Sequence, residues 1–373
     1  MRRATRPTAI DLFCGVGGMS LGFEQAGFDV VAAFDSDDRN VRAYARNFPH
    51  ASTHRVDLRK TSGDELREMA GLGKCTVDVL IGGPPCQGFS LMGKRDPQDP
   101  RSSLLYDFAR LVRQIEPRYF VMENVAGLMS GTARAFLDSF LRRVKRAGYD
   151  VVEPVATLDA FDFGVPQRRK RVFVLGAKRG EEHPEYPKRN GDAESCPTVW
   201  DAIGDLPNVD DFPELLETDV FEGPLGGPSR YAAILRGERK NGRHRSRPPA
   251  GKQVGLSGCA RTRHQAKTVK RFANTKPGTT EPVSRFYRLP KDGVSTALRA
   301  GTGPDRGSFM APRPIHPMHP RCITVREGAR LHSFPDWMQF DATKWRGFRQ
   351  VGNAVPATLA CSVASRTFLA STK

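Results

Sequence analysis

Hydrophobic and polar positions in the first half of the chain follow two alternating patterns. Short apolar runs cover Thr8–Phe13, Asp29–Phe34, Val77–Ile81, Tyr119–Met122 and Arg171–Ala177. They have strand length and are bounded by turn-forming residues. Amphipathic stretches lie between them, at Met19–Ala26, Asp38–Asn47, Ser103–Ile115 and Ala133–Ala147, with apolar residues recurring at helical spacing. Strands and helices in alternation predict an α/β fold, a mostly parallel sheet with helices on both faces. In such sheets ligands bind beyond the carboxyl ends of the strands. Residues that directly follow the apolar runs are therefore the candidates for chemistry.

From Pro184 to Pro320 the periodicity fails, and Gly and Pro become frequent. This sets the stretch apart as a smaller, irregular region. Charge is segregated within it. Asp201 to Glu222 holds eight acidic residues and no Lys or Arg, whereas Arg236 to Arg271 holds twelve Lys or Arg against Glu238 alone. The second segment supplies most of the chain's net charge of +17. An excess of that size points to a polyanionic partner, and nucleic acid is the commonest. Asn241, His244, Gln253, His264 and Gln265 lie among those charges and can hydrogen-bond base edges.

The seven cysteines are scattered, odd in number and without a CxxC pair, which argues against a zinc site and against a disulfide framework. They fit a reducing compartment in which a thiol can react. No apolar run after Met1 resembles a secretory signal, and none has the length of a membrane span.

Four motifs sit at the predicted strand ends. Gly82-Gly83-Pro84-Pro85-Cys86-Gln87-Gly88-Phe89-Ser90 presents a cysteine from a stiff turn that cannot be helical. Cys86 is therefore a candidate nucleophile. Asp11-Leu12-Phe13-Cys14-Gly15-Val16-Gly17-Gly18 lets the backbone turn tightly against a ligand. It is not a dinucleotide GxGxxG, because Ser20 stands in the third glycine's place, and with Asp35 it indicates a nucleoside-containing cofactor and no more. Glu123-Asn124-Val125 places a carboxyl where a pocket can make it an acid. Along Gln167-Arg168-Arg169-Lys170-Arg171, alternation points Gln167, Arg169 and Arg171 to one side and offers two guanidinium groups to one site.

Taken in order, these motifs resemble the C5-cytosine DNA methyltransferase family across nearly the whole chain. Three later segments continue the resemblance: Thr198 to Pro207, Arg321 to Leu331 with Phe334-Pro335-Asp336, and Gln350-Val351-Gly352-Asn353-Ala354-Val355-Pro356. Two positions depart from the family's pattern. Asp35-Ser36 stands where Glu and a bulky residue are common, and His332, expected to be structural, stands where Gln is common.

The resemblance implies a Rossmann-like catalytic domain of residues 1–185 plus 347–373 and a smaller, irregular, β-rich target-recognition domain of 186–346. It implies that Cys86, Glu123, Arg169 and Arg171 do the chemistry. S-adenosyl-L-methionine would be held by Phe13, Val16, Gly18, Asp35, Ser36, Asp57, Leu58, Gly83, Pro85, Leu104, Asn353 and Val355. Double-stranded DNA would meet Gln87, Ser90, Met92, Arg101, Arg243, Arg245, Arg261 and Arg263. No metal and no membrane are called for. The expected setting is cytoplasmic and nucleoid-associated, as a monomer on DNA, with a cognate restriction endonuclease acting on the same site. A cytosine methyltransferase acting on RNA is the nearest rival, but that branch has little in place of the long basic insert. A binding module without catalysis is disfavoured by intact Cys86, Glu123 and Arg171. A nicotinamide oxidoreductase is disfavoured by the interrupted glycine pattern.

Overall fold

The structure, a computed structural model, describes residues 6–85, 104–189, 196–239, 255–301 and 313–372. The first half folds as β1 (Thr8–Leu12), α1 (Gly18–Ala26), β2 (Asp29–Asp35), α2 (Asp38–Asn47), β3 (Ser52–Arg55), α3 (Gly63–Met69), β4 (Val79–Gly82), α4 (Leu104–Ile115), β5 (Tyr119–Val125) and α5 (Ala133–Arg146). It continues through β6 (Tyr149–Val151), β7 (Ala156–Asp159), β8 (Gln167–Arg168) and β9 (Lys170–Lys178). Local signals set several boundaries. Gly17 and Gly27, both at positive φ, bracket α1, the Asp37 side chain caps α2, and a Ser62/Glu65 capping box opens α3.

The central sheet runs in the order β3-β2-β1-β4-β5-β9-β6, with β7 also paired to β9. The five strands from β3 to β5 are parallel, and β9 lies antiparallel to β5, β6 and β7. This is the expected mostly parallel sheet, and it contains elements that the hydrophobic pattern missed. Strand β3 (Ser-Thr-His-Arg) and helix α3 are short and polar, so they carry no apolar run. Register against β2 identifies the first, and the capping box the second.

The second half holds α6 (Val199–Ile203), β10 (Val220–Phe221), α7 (Arg230–Leu235), β11 (Leu256–Ser257), α8 (Ala266–Asn274), β12 (Ser295–Thr296), α9 (Val325–Leu331), α10 (Lys344–Asn353) and α11 (Ala357–Ser371). Among the described residues between 186 and 346 the strands are two residues long. β10 pairs with β11, and β12 pairs in parallel with β8. The described part of that region is therefore short helices, loops and two-residue strands, and the β-rich domain expected is not confirmed in it.

Two cores tie the chain's ends together. Helix α11 lies on α1 so closely that a Cβ at Gly22 would fall 2.4 Å from the Ala360 Cβ. Around them Met19, Phe23, Leu359 and Val363 share a core with β1, β4 and β5. A second core joins Val16, Leu21, Tyr44 and Phe48 to Ile323, Ala329, Leu331, Phe334 and Met338. Asn47 reinforces this junction, exchanging two 2.9 Å hydrogen bonds with the Gln339 backbone. Residues 323–340 thus pack directly against the first βα units. No helix among the described residues is long and apolar enough to cross a membrane.

Candidate active site

The strand order β2-β1-β4-β5 places four loops side by side on one edge. Neighbouring strands are roughly 4.8 Å apart, and Leu12 pairs with Gly82, which pairs with Met122. The Gly loop after β1 therefore adjoins Gly83 after β4, which adjoins Glu123 in β5. Because β9 runs antiparallel, its beginning reaches the same edge, and Arg171 pairs with Val125. An antiparallel strand is what brings an arginine that follows a loop back to the carboxyl ends of parallel strands.

The loop Phe13 to Gly17 enters the left-handed region at alternate residues, with φ of 60° at Phe13, 56° at Gly15 and 91° at Gly17. Gly17 must be glycine, because a Cβ there would lie 2.2 Å from the Phe48 ring. At Gly15 a Cβ would meet nothing within 4 Å, so open space lies over the loop. A Cβ on Gly18 would fall 2.4 Å from the Val355 carbonyl, so the Gln350–Pro356 motif lies against the start of α1. Val16 and Val355 are buried there, Phe13 is half-buried and Asn353 is exposed.

Asp35 is drawn into the loop. Its carboxylate accepts from Gly15 N at 2.9 Å and from Asp37 N at 2.8 Å, with Asn40 at 3.5 Å. Ser36 is exposed beside it. Asp57 is held by both Nε and Nη2 of Arg59, which keeps its carboxyl below the usual range. Leu58 is buried, its carbonyl accepts from Arg110 in α4 at 2.6 Å, and Leu104 begins that helix.

Sequence reasoning missed a buried chain under the loop. Tyr44 Oη donates to Ser20 Oγ at 2.7 Å, and Ser20 Oγ donates to Asp11 Oδ2 at 2.5 Å. Ser20 thus has a physical reason to stand where a dinucleotide site has its third glycine. Burial, opposed by the Ser20 hydrogen bond, pushes the Asp11 carboxyl up to about 7. The only signal in the sequence was the departure from GxGxxG.

At the β4–β5 edge the geometry converges. Arg171 Nε lies 2.9 Å from Glu123 Oε1, with side-chain exposures of 14% and 11%. A Cβ at Gly83 would fall 2.9 Å from Glu123 Oε2, so the turn leading to Cys86 leaves room for that carboxyl only because residue 83 is glycine. Asn124 donates to the Pro84 carbonyl at 3.1 Å and anchors the same turn. Pro85 is exposed. Burial raises the Glu123 carboxyl above its ordinary range against the pull of Arg171 and Arg169, and burial lowers Arg171. Cys86 itself lies outside the described residues, as do Gln87, Ser90, Met92, Arg101, Arg243 and Arg245.

Two of the expected arginines are engaged by the protein itself. Arg169 acts on Glu123 through its charge but is hydrogen-bonded elsewhere. Its guanidinium is fully buried on three backbone carbonyls, Leu298 at 2.9 Å, Gly352 at 2.6 Å and Ala354 at 3.0 Å. Alternation did place Gln167 and Arg169 on one buried face, but β12 and α10 fill that face before a substrate can. Arg261 likewise turns inward. Its Nη1 donates to the Asp210 carbonyl at 2.6 Å and lies 3.7 Å from the Asp210 carboxylate, so the acidic segment neutralises part of the basic one. Arg263, two residues on, is exposed. Among the described residues no group of three or more His, Cys, Asp or Glu is arranged to hold a metal ion.

Comparison with known proteins bears on this arrangement. A family model described as C-5 cytosine-specific DNA methylase matches residues 8–368. The Type II methyltransferase M.XorII of Xanthomonas oryzae pv. oryzae is 50% identical over 363 residues, covering 96% of this chain and 84% of that protein. M.DdeI of Desulfomicrobium norvegicum is 33% identical over 389 residues, covering 96% and 87%. A crystal structure described as a prophage-encoded DNA modification methyltransferase of E. coli superposes with a TM-score of 0.77 at 30% identity, covering 98% of this chain and all of that one.

Proposed function

The chain belongs to the C-5 cytosine-specific DNA methylase family, and from that premise we propose how this DNA cytosine-5 methyltransferase, of the kind found in Type II restriction–modification systems, performs its reaction. Cytosine C5 is a weak nucleophile. Addition of the Cys86 thiolate to C6 makes C5 enamine-like, so that C5 can take a methyl group. S-adenosylmethionine supplies that methyl group in activated form. Loss of the C5 proton then re-forms the C5–C6 double bond and expels the Cys86 thiolate. The target base must leave the duplex stack to reach these groups.

The observation that carries this reading is the Glu123–Arg171 pair packed against Gly83, three residues before Cys86. A carboxyl raised by burial can hold a proton and donate it to N3 of the base while its other oxygen accepts from the exocyclic amine. Arg171 Nε is engaged by Glu123 and Nη1 by the Lys170 carbonyl. Its Nη2 is then the donor for the base's carbonyl oxygen, where negative charge develops.

For the cofactor, the observed fit is the open space over Gly15 together with the seating of Val355 on Gly18. Phe13, Val16 and Gly18 would line that space, Asp57 and Leu58 would take the adenine, and Asn353 would close the site. Asp35 already serves two backbone N–H groups, so a ribose hydroxyl would share it. Residues 1–185 with 347–373 form the catalytic part of this reading and 186–346 the target-recognition part. The docking of α11 on α1 supports the first assignment. The enzyme acts as a monomer on a short specific duplex site, with a restriction endonuclease of the same specificity as its counterpart.

The test is Cys86→Ala with S-adenosylhomocysteine binding measured in parallel. Methyl transfer should vanish while binding stays within about twofold, since only the covalent step is lost. Wild-type enzyme should form a gel-stable adduct with duplex DNA carrying 5-fluorocytosine. Turnover by Cys86→Ala would refute the mechanism.

A further inference from the structure

Four segments meet at Gln167, Arg169 and His332, each at most 1% exposed. Strand β12 pairs with β8, aligning Ser295 with Gln167 and Thr296 with Arg168. Beyond that short ladder, side chains take over the pairing. Leu298 N donates to Gln167 Oε1 at 3.0 Å, and the Leu298 carbonyl accepts from Arg169 Nη1 at 2.9 Å. Both backbone polar groups of one residue are thus gripped by two side chains of the segment that leads to Arg171. The grip is itself anchored. Gln167 Nε2 donates to the Leu331 carbonyl at 3.1 Å and lies 3.0 Å from His332 Nδ1. His332 Nε2 lies 2.9 Å from the Ala354 carbonyl, which can only accept, so the proton is on Nε2 and Nδ1 accepts from Gln167. Arg169 Nη2 reaches the Gly352 and Ala354 carbonyls. A Cβ at Gly352 would lie 2.8 Å from Ala300 N, so residues 299–300 rest directly on the end of α10.

We propose that Gln167, Arg169 and His332 are positioning residues that set the register of Leu298–Ala300, a segment within the part read above as target-recognition, relative to the base-holding pair Glu123–Arg171. The inference rests on the reading of that pair given above. A buried polar network fixes one arrangement because each member loses its partners if the segment slips. Nothing apolar would do this, since Leu298 slides against apolar neighbours at little cost, whereas its N–H and carbonyl can be matched in one position only. The three residues make their hydrogen bonds to protein groups. They act by placing residues 299–300, which rest on the end of α10 and lie in the 186–346 part read above as target-recognition. His332 fits here where an amide would also serve, because either group offers one donor and one acceptor.

The test uses full-length enzyme and the ratio of kcat/KM on its cognate duplex to that on duplexes differing at one base pair. The cognate site is found by sequencing DNA methylated in cells expressing the protein. A ratio is blind to the fraction of enzyme that is folded, so a general loss of stability does not move it. Gln167→Leu removes the acceptor for Leu298 N without touching the Gly352–Ala354 carbonyls. It should lower the ratio at one base pair by about tenfold or more, with S-adenosylhomocysteine affinity unchanged. His332→Gln should keep the wild-type ratio. If Gln167→Leu does not fold, Arg169→Lys, which cannot span three carbonyls, should lower the same ratio and also weaken S-adenosylhomocysteine. A folded Gln167→Leu or Arg169→Lys enzyme with a wild-type ratio at every position overturns the proposal. Glu123→Gln, measured beside them, tests the underlying reading. Full turnover in that variant would remove the base-holding role, whatever the ratios show.

Discussion

Removing Arg171 should make the stability of the protein fall with rising pH by more than the wild type's does. In the folded protein Arg171 Nε sits 2.9 Å from Glu123 Oε1, and both side chains are nearly out of water. Arg171→Ala leaves a buried carboxylate without its partner, an arrangement that costs about 3–5 kcal/mol while the group stays ionised. Glu123 can escape that cost by binding a proton. Its folded pKa is already above the ordinary 4.5 because of burial, and loss of the arginine raises it further. A carboxyl with a raised folded pKa gives stability that is full below about pH 4.5 and is lost as pH climbs through the folded value. The slope is about 1.36 kcal/mol per pH unit over that window. The window is longer in the variant. The stability gap between wild type and Arg171→Ala should therefore be small near pH 5 and approach the full cost near pH 8. Denaturant unfolding at unit pH intervals measures it, and Glu123→Gln/Arg171→Ala should remove the part of the variant's pH dependence that exceeds the wild type's. An equal gap at pH 5 and pH 8 would refute the claim that Arg171 stabilises the ionised form of a buried Glu123.

Two further outcomes follow from the structure. Asp11, pushed up to about 7 from an ordinary 3.8, should cost the wild type roughly 4 kcal/mol of stability as pH rises between those values. Asp11→Asn should remove that decline in the same unfolding series, and a wild type equally stable at pH 4.5 and pH 7.5 would count against the buried Asp11–Ser20–Tyr44 chain. Arg263→Ala should weaken binding to every duplex and reduce the slope of log affinity against log salt by about one. Arg261→Ala, whose side chain is bound to Asp210, should instead lower thermal stability and leave that slope in place.

The linear sequence determined the elements with a strong local period and the residues on either side of them. Runs such as Val-Leu-Ile-Gly and Tyr-Phe-Val-Met are apolar because both faces of a parallel sheet are covered, and that signal survives without any tertiary information. The Gly loop, the Pro-Pro-Cys turn and the Glu123 motif were legible because tight turns demand particular residue types. Only the tertiary structure decided which of two arginines on one face holds Glu123. Alternation gives the side on which a residue points but not what already occupies that side, and for Arg169 the occupants are Leu298, Gly352 and Ala354, more than a hundred residues away in sequence. The same limit hid the pairing of Asp210 with Arg261 and the grip of Gln167 on Leu298. Such contacts join segments without periodicity, and their partners are backbone carbonyls and N–H groups that every residue carries, so no residue type marks them in advance.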